Sequence, residues 1–203
     1  MRVSVLGAGA IALALARPWN TAGHEVTLGV RDPSRAPDVP GVRVRHLPDA
    51  LKSPEVTVMA IPAAAVPDIC TRYAELLAGR IVIDPTITFS SGGSPVMHQH
   101  EPLEQVGVRY VRAFSTQGPE VLAAPVIDGE TADQFYTADD DQARDLAAHL
   151  IADVGLRPVY VGGSDRVNIV DGVTRLWFSL AIKQDLGRHL SFRLLADLQK
   201  GQG

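Results

Sequence analysis

The opening segment constrains this chain more than any other stretch. Arg2-Val-Ser-Val-Leu6 is a short apolar strand, and Gly7-Ala-Gly9-Ala-Ile-Ala12 turns tightly into a run rich in alanine and leucine. A second apolar run, Glu25 to Val30, ends in Arg31. This is the order of a βαβ unit that binds a dinucleotide, with the glycines at the pyrophosphate and a charge-reading residue after the second strand. Gly7 permits a sharp turn out of a buried strand. Gly9 leaves no Cβ between the backbone and a phosphate, so the free N–H groups of the next helix, across Ala8, Ala10 and Ile11, can point at its oxygens. The third position is Ala12, still small enough for close packing of helix on sheet. An acid after the second strand would bind a ribose 2′-hydroxyl and repel a 2′-phosphate. Arg31 can hold that phosphate with its planar fork, with Arg35 near enough to join and Asp32 free to face the ribose, so the expected cofactor is NADP rather than NAD.

The rest of the chain alternates strand and helix signals, which predicts a parallel sheet covered on both faces. Strands are expected at Val42–His46, Val56–Ile61, Arg80–Asp84, Arg109–Phe114, Gln134–Thr137 and Arg157–Val161, with a turn at Leu47–Asp49. Helices are expected from Ala64 to Leu77, ended by Gly79, and from Gln142 to Val154, with Asp139-Asp-Asp141 as cap and dipole partner rather than a cation site. Thr86–Gly93, rich in Thr, Ser and Gly, reads as a loop. From Ser164 onward the apolar spacing of Val170, Val173, Leu176, Trp177, Leu180 and Ile182, then Phe192, Leu194 and Leu195, is helical. Pro18 falls inside the first helix, which is therefore expected to stop near Arg17 or to kink. The fold class is α/β: a Rossmann-type doubly wound, mostly parallel sheet with a C-terminal helical extension. Residues 1–163 form the cofactor-binding domain and 164–203 pack on it.

A length of 203 residues with 46% hydrophobic and 21% charged side chains suits one globular domain with a full core. A formal net charge of -4 argues against a nucleic-acid surface, and no apolar run reaches membrane-spanning length. With Cys70 the single cysteine and a strand at the very start, a cytoplasmic protein is expected. Cys70 itself reads as a small buried apolar residue, and His98 and His100 as loop-surface residues. His24, His46, His149 and His189 read as exposed or capping. No catalytic dyad stands out.

Together the motifs resemble the small NADPH-dependent oxidoreductases typified by the NADP reductase of the deazaflavin coenzyme F-420. Val5-Leu-Gly-Ala-Gly-Ala-Ile11 is similar to that family's glycine turn, and Gly29-Val-Arg31 to its phosphate-reading element, with Val30 where the family has serine. Ile61-Pro62, Asp84-Pro-Thr86 and Ala113-Phe-Ser-Thr116 resemble its later strand ends, and Gly155-Leu-Arg-Pro158 with Gly162-Gly163 its ending. The resemblance implies NADP on Gly7, Ala8, Gly9, Ala10, Ile11, Arg31, Arg35, Ile61, Pro62, Asp84, Pro85, Ala113 and Phe114. It implies a deazaflavin or flavin acceptor near Ser115, Thr116 and Thr86, and a homodimer through the C-terminal helices. Hydride transfer of this kind rests on stacking and facing rather than on a dedicated acid or base, so no catalytic residue is assigned. Two alternatives stand beside it: a reductase of a small carbonyl or imine that uses Lys183 or Asp185, and a non-catalytic module that senses NADP.

Overall fold

Apolar β-branched residues alternate along Arg2–Leu6 (β1), and the strand lies in the interior of an eight-stranded sheet. The computed structural model describes residues 1–89, 95–96 and 98–196. The other strands are Glu25–Val30 (β2), Arg43–His46 (β3), Val56–Val58 (β4), Ile81–Asp84 (β5), Arg109–Arg112 (β6), Asp133–Ala138 (β7) and Arg157–Gly162 (β8). Their spatial order is β8-β7-β6-β5-β4-β1-β2-β3. Strands β1 to β6 are parallel in the doubly wound order, with the switch between β1 and β4. β7 runs antiparallel to β6, and β8 runs parallel to β7.

The longer helices are Ala10–Thr21 (α1), Val66–Arg72 (α2), His100–Val106 (α3), Asp141–Asp153 (α4) and Val167–Phe178 (α5). They cover both faces because the inner strands β1, β4 and β5 are buried on both sides. Val3, Val5, Val56, Val58, Ile81, Ile83 and Val111 face α1 and α4. Leu6, Met59, Val82 and Tyr110 face α2, α3 and the start of α5. Trp19 of α1 is fully buried, and its indole N–H donates to the Leu150 carbonyl of α4 at 2.8 Å.

Several expectations change here. α1 continues through Pro18 to Thr21, and the Pro18 carbonyl still accepts from Ala22 N–H at 2.8 Å. Leu47–Ala50 is a short helix rather than a turn, because Pro48 sits in its first turn, where no N–H is needed. The helix expected over Ala64–Leu77 is broken at Tyr73 into Val66–Arg72 and Ala74–Leu77, after a 3-10 turn at Ala63–Ala65. In the expected loop, Thr88–Phe89 pairs antiparallel with Pro95–Val96; its remaining residues, 90–93, lie outside the described set.

The last correction is the largest. Helical structure ends with a π-turn at Ser179–Lys183 and does not resume through Phe192 to Leu195. Asp185 and Gly187 take left-handed backbone (φ 54° and 87°), which stops a right-handed helix. The chain then runs as a strap tied by backbone and side-chain bonds: Asp133 N–H to the Phe192 carbonyl (3.0 Å), Leu194 N–H to the Asp133 carboxylate (2.6 Å), and Trp177 Nε1 to the Leu190 carbonyl (2.7 Å). Within α5 the buried face is Val167, Val170, Asp171, Thr174 and Trp177, while Leu176 is exposed, as is Ile182 beyond it.

Candidate functional site

Parallel strands deliver their carboxyl ends to one edge of the sheet, and a crevice of about 1340 Å³ opens there. It exceeds the roughly 300–1,000 Å³ of pockets for drug-sized ligands. Its wall brings together Gly7, Ala8, Gly9, Ala10, Ile11, Arg31, Arg35, Ile61, Pro62, Pro85, Thr86 and Phe114, all singled out in the sequence.

The two glycines have different reasons. Gly7 has φ 105°, and a Cβ there would lie 2.3 Å from the Ala60 carbonyl oxygen, so the fold itself requires glycine. Gly9 has φ −81° as N-cap of α1, and a Cβ there would meet no atom within 4 Å. Nothing among the described residues demands Gly9; the space it leaves opens into the crevice. α1 begins without a side-chain cap, so its first N–H groups are available to an anion.

At the far end, β2 delivers Arg31, and a 3-10 turn at Pro33–Arg35 delivers Arg35. Both side chains are exposed, and neither has an ion pair among the described residues. Asp32 instead caps that turn, accepting from Ser34 N–H (3.1 Å) and Ser34 Oγ (2.7 Å). Its position and use leave two guanidinium groups as the charged features of this end, the donor set that suits a phosphate.

The remaining sequence candidates lie beneath the crevice, not on its wall. Asp84 is fully buried with all its acceptor sites used internally. Oδ1 accepts from Thr86 N–H (2.8 Å) and Thr86 Oγ1 (2.6 Å), and Oδ2 from Gln99 N–H (2.9 Å) and Tyr110 OH (2.8 Å). Its carboxylate therefore holds the Pro85–Ile87 wall in shape. Ala113 is buried, and Ser115 and Thr116 are buried behind Phe114, with Ser115 Oγ 3.4 Å from Thr174 Oγ1 and Thr116 Oγ1 accepting from Gln134 Nε2 at 3.2 Å. Phe114 has left-handed backbone (φ 61°), unusual for a bulky residue, and its ring meets Trp19 edge-on at 5.7 Å. Lys183 and Asp185 are exposed on the strap side and do not line the crevice.

Two features were missed in the sequence. Gln117 lines the crevice, oriented by Ser191 Oγ, which donates to its Oε1 at 2.6 Å. The other is a buried ionic cluster that ties the crevice wall to α5. Arg112, fully buried, donates from Nη1 to the carbonyls of Asp84 (2.9 Å) and Thr86 (2.7 Å), and from Nε to Asp171 Oδ1 (3.0 Å). Asp171 Oδ2 meets His98 Nδ1 at 2.6 Å, so His98 is a partner of the core rather than a free surface residue. Burial opposes charge on Arg112, but Asp84, Tyr110 and Asp171 together hold its pKa above the usual value. Burial, reinforced by Asp84, pushes the Tyr110 phenol well up, so it remains a donor. His24 is likewise no exposed turn residue: it is buried and paired with Asp153 at 2.7 Å.

A doubly wound sheet with an uncapped helix N-terminus, an open glycine cradle and two arginines without an ion pair among the described residues defines a dinucleotide-binding protein of Rossmann type. Residues 2–88, fewer than half of the chain, match the family described as NADP oxidoreductase, coenzyme F-420-dependent. The chain is 27% identical to the F-420-dependent NADP reductase of Methanothermobacter thermautotrophicus, over 90% of this chain and 90% of that protein. The same enzyme of Methanothermobacter marburgensis is also 27% identical, covering 90% and 93%. Among solved structures, a protein of Arthrobacter sp. FB24 assigned as an F-420-dependent NADP reductase superposes with a TM-score of 0.83, at 22% identity, over 96% of this chain and 99% of that one. An imine reductase of Streptomyces aurantiacus shares the fold at TM-score 0.67 and 19% identity, but this chain covers only 61% of it.

Proposed function

We propose that this protein transfers hydride between NADPH and a deazaflavin or flavin bound in the same crevice. The observation that carries the reading is the vacant Cβ space at Gly9, beside the uncapped start of α1 and on the same crevice wall as Arg31 and Arg35. When bound, NADPH would supply the hydride. The first N–H groups of α1 would hold the pyrophosphate, and Arg31 with Arg35 the 2′-phosphate. Phe114, braced by Trp19, and the Pro85–Ile87 wall, braced by Asp84 and Arg112, would fix the redox end and exclude water from it. Gln117 would offer an amide to a ring edge. Among the described residues no lysine lines the crevice, and its two aspartates are engaged elsewhere, Asp32 with Ser34 and Asp68 with Arg72, which supports positioning over acid–base catalysis.

The names of the full-length relatives support the deazaflavin as acceptor. Residues 1–163 would bind the cofactor, with 164–196 as their packed extension; the rest of the expected extension, 197–203, lies outside the described residues. No helix among the described residues is long and apolar enough to cross a membrane. A cytoplasmic setting is consistent with the lone, buried Cys70, and a homodimer with the exposed Ile169 and Leu176 on α5. A screen of NADPH oxidation with deazaflavin, FMN, FAD and quinones tests the reading. Turnover with deazaflavin or flavin that persists in Lys183→Ala is expected. Binding of NADPH without oxidation by any acceptor would point to a sensor, and loss of turnover in Lys183→Ala to a carbonyl or imine reductase.

A further inference from the structure

A second site lies at the opposite, amino-terminal edge of the sheet, where the crevice chemistry has no use for it. α4 presents His149 and Asp153 one helical turn apart on the same face. The turn between α1 and β2 brings His24 against them, with its backbone N–H fixed on the Trp19 carbonyl at 3.0 Å. His24 Nε2 lies 2.7 Å from Asp153 Oδ2, and His149 Nε2 lies 3.3 Å from the same oxygen. The two imidazole rings meet edge-on at 5.9 Å, and one donor atom from each of the three residues falls within 4.8 Å of the others.

We infer that His24, His149 and Asp153 form a binding site for a divalent transition-metal ion of the Zn²⁺ type. Two imidazoles and one carboxylate match the ligand preference of that ion class, whereas Ca²⁺ and Mg²⁺ favour oxygen donors. Tetrahedral coordination with bonds of about 2.0–2.1 Å sets donors about 3.4 Å apart. The His149–Asp153 spacing of 3.3 Å already has that value. The His24–Asp153 hydrogen bond would lengthen by about 0.7 Å as the ion enters. Exposure is graded from 6% for the His24 side chain through 22% for Asp153 to 63% for His149, so one side of the site is open to a water as fourth ligand. His24 Nδ1 lies 3.3 Å from the Met1 nitrogen; with the ion on Nε2 the ring proton sits on Nδ1, so this contact then needs the neutral amine as acceptor. The site joins residues 129 positions apart, linking the first βαβ unit to α4, beside the Trp19–Leu150 bond. Its role is therefore structural.

The experiment is calorimetric titration of chelator-stripped protein with Zn²⁺, with thermal melting in parallel. One equivalent is expected to bind through this trio, raising the melting temperature by about 5–10 °C at a hundredfold excess over Kd. His149→Ala, at an exposed position, and Asp153→Asn should each weaken that binding by tenfold or more and remove the thermal shift, with NADPH affinity unchanged. His98→Ala should leave it intact. No saturable binding, or binding that survives both His149→Ala and Asp153→Asn, overturns the proposal and leaves a plain His–Asp pair. Cobalt(II) substitution gives a further readout: visible d–d absorption in the parent protein that disappears in His149→Ala.

Discussion

Replacing Gly9 by alanine should leave the fold intact and disable the crevice. A Cβ on Gly9 meets no atom of the described residues within 4 Å, and its φ of −81° is open to any residue. Alanine is a poorer N-cap than glycine, but it also lowers the entropy of the unfolded chain by about 0.4–1 kcal/mol. These effects oppose each other, so stability should change by no more than about 1 kcal/mol, or about 3 °C in Tm for a domain of this size. The same methyl group would stand between the start of α1 and a pyrophosphate. Displacing the phosphate from one or two charge-assisted N–H bonds removes about 2–4 kcal/mol, or about 30- to 700-fold in affinity. Gly7→Ala is the opposing control. With φ at 105° and a contact of 2.3 Å to the Ala60 carbonyl, it should lose on the order of 2–4 kcal/mol of stability outright. Thermal melting and NADPH fluorescence titration on both variants separate the two effects. Near-normal NADPH binding by Gly9→Ala would refute the reasoning, as would its unfolding.

The buried cluster gives a larger stability effect: Arg112→Met leaves Asp84 and Asp171 in the core without their cation and should destabilise by about 3–5 kcal/mol in urea unfolding. A loss below about 1 kcal/mol would mean the cluster is dispensable. Asp140, hydrogen-bonded and paired to Arg109 and capping α4 at Ala143 N–H, has its pKa lowered from 3.8 to about 2. A depressed acid stabilises above its unfolded pKa and loses that contribution as pH falls from about 4 toward 2. The urea midpoints of the parent and Asp140→Asn should therefore differ at pH 7 and converge near pH 2; a constant gap would contradict this. Burial pushes the Cys70 thiol to about 11, so native protein at pH 8 should resist iodoacetamide and unfolded protein should not, as mass spectrometry would show.

The cofactor half of the molecule was legible because its signals are local. A strand, a glycine turn and a cation at the end of the next strand are read within about thirty residues, and the wall of the crevice contains most of the positions they name. The acceptor half is built by contacts distant in sequence. Asp84 reads as a site residue from its motif, yet Thr86, Gln99 and Tyr110 consume its oxygens, a fact that only the fold brings together. Asp171 carried a usable signal: a carboxylate at the buried spacing of Val167, Val170 and Thr174 demands a buried cation, and Arg112 in an apolar strand is its partner. The strap after Lys183 failed for a different reason. Its apolar residues are spaced as in a helix, but the left-handed Asp185 and Gly187 override periodicity, and Leu195 is exposed.

The most direct measurement is kcat/KM for deazaflavin reduction by NADPH and by NADH, in the parent protein and in Arg31→Ala. The account predicts turnover with NADPH, a preference over NADH of tenfold or more, and loss of that preference in Arg31→Ala while NADH is used as before. Equal use of NADH and NADPH by the parent, unchanged by Arg31→Ala, would contradict it.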